Sequence, residues 1–129
     1  MLLLNGRCKH VDVIDNLTCY MIVIAKSNTV KQVTTTIGPL LKIKIGIDLP
    51  TITLKIKNRN SIDEIEHGYY SFLNLTPLLE RLEKKRFYKP EIKYRVVECV
   101  IPTGSNCFLD TFDSQMVSEK IKLIKLLNH

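Results

Sequence analysis

Long apolar runs are missing from this sequence, and so is a recognisable leader. No stretch approaches the roughly 18 consecutive apolar residues that a membrane-spanning helix needs. The opening residues, MLLLNG, carry no basic segment ahead of their three leucines and are too short for a signal peptide. These two absences predict a cytoplasmic protein with no membrane association.

Cysteines are few and widely spaced. The four thiols, Cys8, Cys19, Cys99 and Cys107, include no C-x-x-C pair, which argues against a structural zinc site. A chain of 129 residues is long enough to bury a core without a disulfide framework. We therefore predict no bound metal and buried free thiols. Cys107, just after a predicted turn, is the better candidate for an exposed thiol.

The motifs of common enzyme classes are missing as well. The sequence contains no P-loop, no G-x-G-x-x-G and no H-E-x-x-H. Of its three histidines, only His67 has functional neighbours nearby in sequence, Glu66 and Tyr69. A cysteine without a positioned base cannot be argued as a nucleophile. The residues therefore favour a non-enzymatic protein over an enzyme, and we predict no cofactor.

Positive charge is what the sequence has in excess. Nineteen lysines and arginines face 13 aspartates and glutamates, which gives a net charge of +6. Such a balance permits binding to nucleic acid but does not require it. The hydrophobic content of 45% is ordinary for a globular protein, and no repeat or linker divides the chain. We predict a single domain over residues 1–129.

The firmest local pattern is residues 92–105, IKYRVVECVIPTGS. Apolar residues occupy both faces of residues 92–101, and many of them are β-branched, which indicates a central strand covered on both sides. Pro102 has no N–H to donate to a neighbouring strand, and Gly104 suits a backbone with positive φ. The strand is therefore predicted to end in a turn at residues 102–105.

The remaining pattern predicts an α+β fold, a mostly antiparallel, twisted sheet of short strands with one or two helices in residues 61–87. The sequence S-I-D-E at residues 61–64 fits a capping box and predicts a short helix from residue 62. Thr76 and Pro77 predict the start of a second helix that runs to residue 87. Strands are predicted at residues 10–14 (an edge), 18–25 (buried), 29–37, 69–72, 106–112 and 117–124. The last of these could also be a helix, and a frayed tail is expected after it.

Two amphipathic segments predict a lysine-bearing hairpin. Residues 41–47 and 51–57 each alternate apolar and polar residues, and the three residues between them are short enough for an antiparallel pair. Lys42, Lys44, Lys55 and Lys57 would then share one solvent face. This face is the candidate nucleic-acid-binding site, although lysines also simply solvate an exposed sheet, and the hairpin lacks the aromatic rings used for base stacking.

Three segments resemble small uncharacterised proteins of bacteriophages and mobile elements. Those proteins carry a G-[FY]-H-S-F piece, a V-x-C-x-I-P-x-G-[ST] strand and turn, and a later [VA]-S-[DEN]-K-I strand. Here the corresponding segments are residues 66–72 (EHGYYSF), 97–105 (VECVIPTGS) and 117–121 (VSEKI). The chain departs at Tyr70, where histidine is usual, and at Thr103, where lysine is usual. The resemblance covers roughly residues 66–124 and implies a phage or mobile-element origin, hence the host cytoplasm or the virion.

The strand and turn at residues 97–105 are also similar to those of ADP-ribosyltransferase-like folds, which place a catalytic glutamate on a final strand. That similarity implies a role for Glu119 as the catalytic acid, with Tyr69 or Ser71 lining a nicotinamide pocket. We therefore carry His67, Tyr69, Ser71 and Glu119 forward as a possible pocket. An enzyme that uses NAD is the third functional hypothesis.

The first hypothesis is a non-enzymatic interaction protein that engages a host or virion protein and could assemble as a homo-oligomer through its sheet edges. The second is a nucleic-acid-binding protein that uses the lysine-rich hairpin.

Overall fold

The computed structural model of the chain describes residues 2–4, 8–27, 29–35, 38–59, 62–65 and 67–129, with side chains for residues 9–27, 29–33, 41–55, 65 and 67–129. Within these ranges the chain forms twelve strands and one helix. In chain order they are β1 (Leu2–Leu4), β2 (Cys8–Asp12), β3 (Leu17–Lys26), β4 (Thr29–Thr35), β5 (Gly38–Ile43), β6 (Ile56–Arg59), β7 (Ile62–Ile65), β8 (Tyr69–Phe72), α1 (Leu75–Tyr88), β9 (Tyr94–Ile101), β10 (Asn106–Asp110), β11 (Gln115–Ser118) and β12 (Lys122–Leu127).

Most strands belong to one antiparallel sheet of nine strands. Its main order is β12-β9-β3-β8-β11-β10-β2, and β4 and β5 branch from β3. β3, ten residues long, pairs along one edge with β9. Its other edge is divided between β4, at Ile24–Lys26, and β8, at Tyr20. The predicted α+β class with a mostly antiparallel sheet is confirmed, with one helix among the described residues and the sheet dominant.

The predicted central strand at residues 92–101 is confirmed as β9, which lies between β12 and β3. Val97, Cys99 and Ile101 are fully buried in the largest hydrophobic cluster. Val96, on the opposite face, is fully buried in a second cluster beneath α1. The strand is therefore covered on both faces, and it ends at the predicted turn, where Gly104 has φ +81°.

The second predicted helix is confirmed as α1, but its predicted start at Thr76 and Pro77 is two residues too late, because α1 begins at Leu75, three residues after β8 ends at Phe72. Leu78 and Leu82 are buried against β3, β8 and β9. Asn74 is the N-cap residue, and its backbone N–H donates to Ser114 Oγ (3.2 Å). At the other end Lys89 N donates to Lys85 O (2.9 Å). Burial of one apolar stripe fixes the helix on the outer face of the sheet.

The predicted lysine hairpin is wrong. β5 pairs with β4, residues 51–55 form no strand, and β6 pairs with β7. The segment after β5 instead runs back to β12, where Gly46 N donates to Leu123 O (2.8 Å) and Leu49 N to Ile121 O (3.1 Å). Ile52 N donates to Glu119 O (2.8 Å), and the Ile52 side chain is buried. The alternation of apolar residues indicated one-sided burial, but it does not specify which strand is the partner.

The helix predicted from residue 62 is also wrong, since Ile62–Ile65 is the strand β7. This strand pairs with β1 on one edge and β6 on the other, in a separate three-stranded sheet. A capping box stabilises a helix by about 1 kcal/mol. Pairing with two strands and burial of Ile65, which is 0% exposed, outweigh that local preference.

The C-terminal segment is strand rather than helix, as favoured from the sequence, but it is divided into two strands. β11 ends at Ser118, a turn follows at Glu119, and β12 continues to Leu127, beyond the expected end at residue 124. Its last residues pair with β9 up to Leu127↔Val96, so the expected frayed tail is wrong up to that residue. The predicted edge strand is confirmed as β2, the last strand of the sheet order.

Among the residues that the structure describes, α1 is 14 residues long, and no helix has the length and apolar character to cross a membrane.

Candidate functional site

The four lysines of the predicted hairpin are not brought together by strand pairing. Lys42 and Lys44 are exposed at the end of β5, and Lys42 has φ +57°. Lys55 is exposed in the irregular segment before β6. The Lys57 side chain lies outside the described residues. The geometric basis of the predicted basic face therefore fails, while binding by these lysines stays an untested prediction.

Of the predicted pocket residues, Tyr69 and Ser71 point into the protein. Tyr69 is fully buried, its hydroxyl donates to the carbonyl of Pro50, and burial raises the pKa of the hydroxyl. Ser71 is 1% exposed, and its Oγ has no hydrogen-bond partner among the described residues. These two side chains belong to the core face of β8.

Glu119 lies in the turn between β11 and β12, where its carboxylate has a structural contact. It accepts hydrogen bonds from Asn106 N (3.1 Å) and Asn106 Nδ2 (3.4 Å). His67 is half-buried beside Gly68. Because Tyr69 and Ser71 are enclosed in the core, the four predicted residues line no common surface cavity in the described part of the chain.

The thiols are buried, as predicted, wherever the structure describes them. Cys19 and Cys99 are directly opposite each other on β3 and β9, and both are 0% exposed. Burial, together with the hydrogen bond that the Cys99 thiol makes to Cys19, raises the pKa of the Cys99 thiol well above its ordinary value. Cys107 is also 0% exposed, so its prediction as an exposed thiol is wrong. The cause is that Cys107 faces inward from β10 toward Met116, with 4.0 Å between Sγ and Sδ.

The structure draws attention instead to residues 84–95, KKRFYKPEIKYR. This segment holds six basic residues and one acidic residue, so its net charge is +5, against +6 for the whole chain. It also contains three aromatic residues, Phe87, Tyr88 and Tyr94. Lys85 and Arg86 lie in the last turn of α1, where cations also complement the helix dipole. A count of net charge and of aromatic residues in a window moved along the sequence would have detected the segment.

The segment is held in place by two arginines that bind backbone carbonyls. Arg86 Nη2 lies 3.0 Å from Tyr94 O and 2.7 Å from His129 O, which joins α1 to β9 and to the C-terminus. Arg95 donates to Ser27 O (3.0 Å) and Leu127 O (3.1 Å). Arg86 therefore holds the end of the helix against β9 and residue 129, and Arg95 joins β9 to β12 and to the residue that follows β3.

The remaining charges and rings of the segment face solvent. Lys84, Lys89 and Lys93 are exposed. Phe87 and Tyr88 are 79% and 78% exposed, and their rings meet edge to face, with centroids 5.3 Å apart. Exposed aromatic rings beside exposed lysines give this surface two chemistries at once, attraction for anions and a face for stacking.

Tyr94 lies at the centre of this surface and lines three neighbouring cavities. A cavity of about 430 Å³ opens between the ends of α1 and β3, bordered by Lys26, Lys93 and Arg86. A second, of about 240 Å³, lies beside Lys84, Tyr88 and Lys89. The third, also about 240 Å³, lies between α1 and β3. We call the half-buried Tyr94 and the exposed groups around it the Tyr94 surface, whose other members are Lys26, Lys84, Lys85, Phe87, Tyr88, Lys89 and Lys93.

A scan against protein-family models matches no family, and searches of curated proteins and of solved structures find no significant match.

Proposed function

We propose that the protein binds nucleic acid through the Tyr94 surface. The observation that carries the proposal is the juxtaposition of exposed lysines with exposed aromatic rings on a braced part of the fold. Lysines neutralise phosphates and release counterions, while aromatic rings stack on bases. The hairpin predicted from the sequence offered charge without rings, whereas the Tyr94 surface has both.

The helix dipole accounts for only part of this charge. Cations in the last helical turn compensate the partial negative charge of the helix C-terminus, which explains Lys85 and Arg86. Lys93 follows the helix by several residues, and Lys26 belongs to the end of β3. Both lysines nevertheless border the same cavity. Their position extends the positive surface from the helix onto the sheet, which the dipole does not require.

The bracing contacts favour a binding surface over a merely solvated one. Arg86 and Arg95 direct their donors to carbonyl oxygens and so hold the helix end and the strands in one arrangement. A surface fixed before binding loses less conformational entropy when a ligand is bound. Lys85 is positioned by a different contact, a cation–π interaction in which its Nζ lies 5.4 Å from the Tyr94 ring centroid.

The test is a titration of a fluorescently labelled 20-nucleotide strand, followed by anisotropy from about 50 to 500 mM salt. We expect binding at low salt that weakens steeply, with a slope of log K against log salt of about −0.7 for each phosphate contacted. Ultraviolet cross-linking followed by mass spectrometry should label the peptide that contains Tyr88 and Tyr94. Absence of binding at 50 mM salt, or cross-links confined to other peptides, would overturn the proposal.

Engagement of a host or virion protein, and a phage or mobile-element origin, stay predictions. Outside the Tyr94 surface, the large exposed apolar side chains of the described residues lie on three separate segments, around Ile14, around Leu41 and Ile47, and around Phe112. Scattered exposed apolar residues of this kind are normal on protein surfaces. A pull-down from bacterial lysate with and without nuclease separates the two functions, because a partner that survives nuclease and high salt would be a protein.

A further inference from the structure

The cavity between α1 and β3 has the chemistry of a pocket for an unpaired base. Its volume is about 240 Å³. Its floor comes from β3, its walls from aromatic residues of β8 and β9, and its rim from two cations of α1. The lining residues are Met21, Ile22, Val23, Ile24, Tyr70, Phe72, Arg81, Lys85 and Tyr94.

The apolar floor follows from the alternation along β3. Residues that point inward from this strand are buried, and those that point outward are half-buried or exposed. Of the outward residues, Tyr20 and Ile22 pack against the cluster beneath α1. Ile24, one step further along, is half-buried and lines the cavity. The strand therefore presents aliphatic surface at a point where the helix leaves the sheet open.

The two rim cations are each placed over an aromatic ring of the cavity wall. The Arg81 guanidinium carbon lies 5.0 Å from the Phe72 ring centroid, and Lys85 Nζ lies 5.4 Å from that of Tyr94. Arg81 also pairs with Asp113 at 3.2 Å, which offsets part of its charge. Lys85 keeps a positive charge at the mouth, where the cavity joins the rest of the Tyr94 surface.

We propose that this cavity accepts one unpaired base of a single-stranded nucleic acid while the adjoining lysines hold the flanking phosphates. The inference rests on the proposed function. A flat aromatic base attached to an anionic phosphate matches an apolar, ring-walled cavity with a cationic rim. In a duplex the bases are paired and stacked, so they must leave the stack to enter a pocket. The protein is therefore selective for single strands.

The experiment compares an intact strand with an abasic strand of the same length, which keeps every phosphate and lacks the bases. We expect wild-type protein to bind the intact strand about 5- to 150-fold more tightly, the range that corresponds to one well-stacked base. Equal affinity for the two strands would overturn the base pocket and the stacking role of the exposed rings, and would leave only phosphate binding by the lysines. Failure to bind either strand would overturn both proposals.

A cavity-filling variant locates the base. Ile24→Trp places a large ring on the floor, and Ile14→Trp, at a position 79% exposed and remote in sequence from the cavity lining, is the matched control. We expect the ratio of intact to abasic affinity to fall about tenfold in Ile24→Trp and to stay unchanged in Ile14→Trp. An unchanged ratio in Ile24→Trp would overturn the pocket, because the base would then bind elsewhere on the Tyr94 surface. The chain has no tryptophan, so the fluorescence of the introduced ring also reports whether each variant is folded. The comparison of the intact and abasic strands is made with wild-type protein and so does not depend on the folding of a variant.

Discussion

Residues 42–55 and residues 84–95 are both lysine-rich, but the fold uses them differently. In the first segment Lys42, Lys44 and Lys55 are exposed at a strand end and in an irregular stretch, and residues 41–57 contain no aromatic residue. In the second, lysines stand among exposed rings beside three cavities. The comparison teaches that lysine density alone marks a solvated surface, whereas lysines combined with rings on a fixed framework indicate a place to bind.

The second segment also divides its cations between two tasks. Arg86 and Arg95 bind carbonyl oxygens and stabilise the structure, while the exposed lysines stay available for anions. A planar guanidinium has several N–H donors and can bridge two carbonyl oxygens at once, whereas a lysine ammonium is a flexible point charge that attracts anions.

The largest expected effect is on the free energy of unfolding, because a leucine next to the first segment is exposed and a leucine beneath the second is buried. Leu82 lies beneath the second segment and is 2% exposed. Leu82→Ala should lower the free energy of unfolding by about 2 to 5 kcal/mol. Leu41 lies next to Lys42 in β5 and is 63% exposed. Leu41→Ala should lower the free energy of unfolding by about 0.5 kcal/mol or less. Urea denaturation measures both variants. Equal losses would mean that α1 is not packed on the sheet as described.

The packing of the first segment can be tested at Gly68, which lies against Leu54 of that segment. A Cβ added there would lie 2.4 Å from Val117 Cγ2 and 2.7 Å from Leu54 Cδ2, at a backbone φ of +141°. We expect Gly68→Ala to lower the free energy of unfolding by about 2 to 3 kcal/mol through strain and overpacking.

The control for that variant is Gly46→Ala, where φ is +87° and nothing lies within 4 Å of the added atom. Backbone strain alone should cost about 1 kcal/mol there. If the two alanine variants were equally stable in denaturant titrations, residues 51–55 would not pack over β8 and β11, and the hairpin prediction would regain its basis.

A smaller effect on the free energy of unfolding should appear at alkaline pH, and it comes from Cys99 on β9. Burial and Cys19 raise the pKa of the Cys99 thiol in the folded protein, while an unfolded thiol ionises near pH 8.5. As pH rises past about 8.5, the unfolded state loses its proton first, so stability falls until the folded pKa is reached. Below pH 8.5 this group contributes no pH dependence.

Denaturation under reducing conditions at several values between pH 7.5 and 10 checks this sign. The fall in stability should be shallower in Cys99→Ala than in the parent protein. Parallel curves for the two proteins would show that Cys99 is not enclosed opposite Cys19.

Much of the sheet could be predicted from the sequence because its central strands carry their own pattern. Apolar residues on both faces of β9, and the β-branched run of β3, indicate buried strands without knowledge of their partners. The partners of residues 51–65 could not be predicted in this way. One-sided alternation near Ile52 fits any neighbouring strand, and a capping box at residues 61–64 is weaker than the two strand pairings that β7 makes.

The candidate site was missed for a related reason. Lys84–Arg86 and Tyr94 are separated by the end of a helix and a loop, and only packing of α1 on β3 and β9 brings them to one surface. Conversely, Tyr69 and Ser71 looked available in sequence, but alternation along β8 turns both toward the core.

The most direct measurement compares two charge-matched variants in the anisotropy titration at about 100 mM salt. One replaces Lys84, Lys89 and Lys93 with glutamine, and the other replaces Lys42, Lys44 and Lys55, so that each loses three positive charges. We predict that the first variant binds a single strand about 10- to 100-fold more weakly, with a salt slope reduced by about 2. The second should stay within about threefold of the parent, because these three lysines border none of the three cavities around Tyr94. Equal losses in the two variants would contradict a binding role for the Tyr94 surface and show that net charge alone determines the affinity.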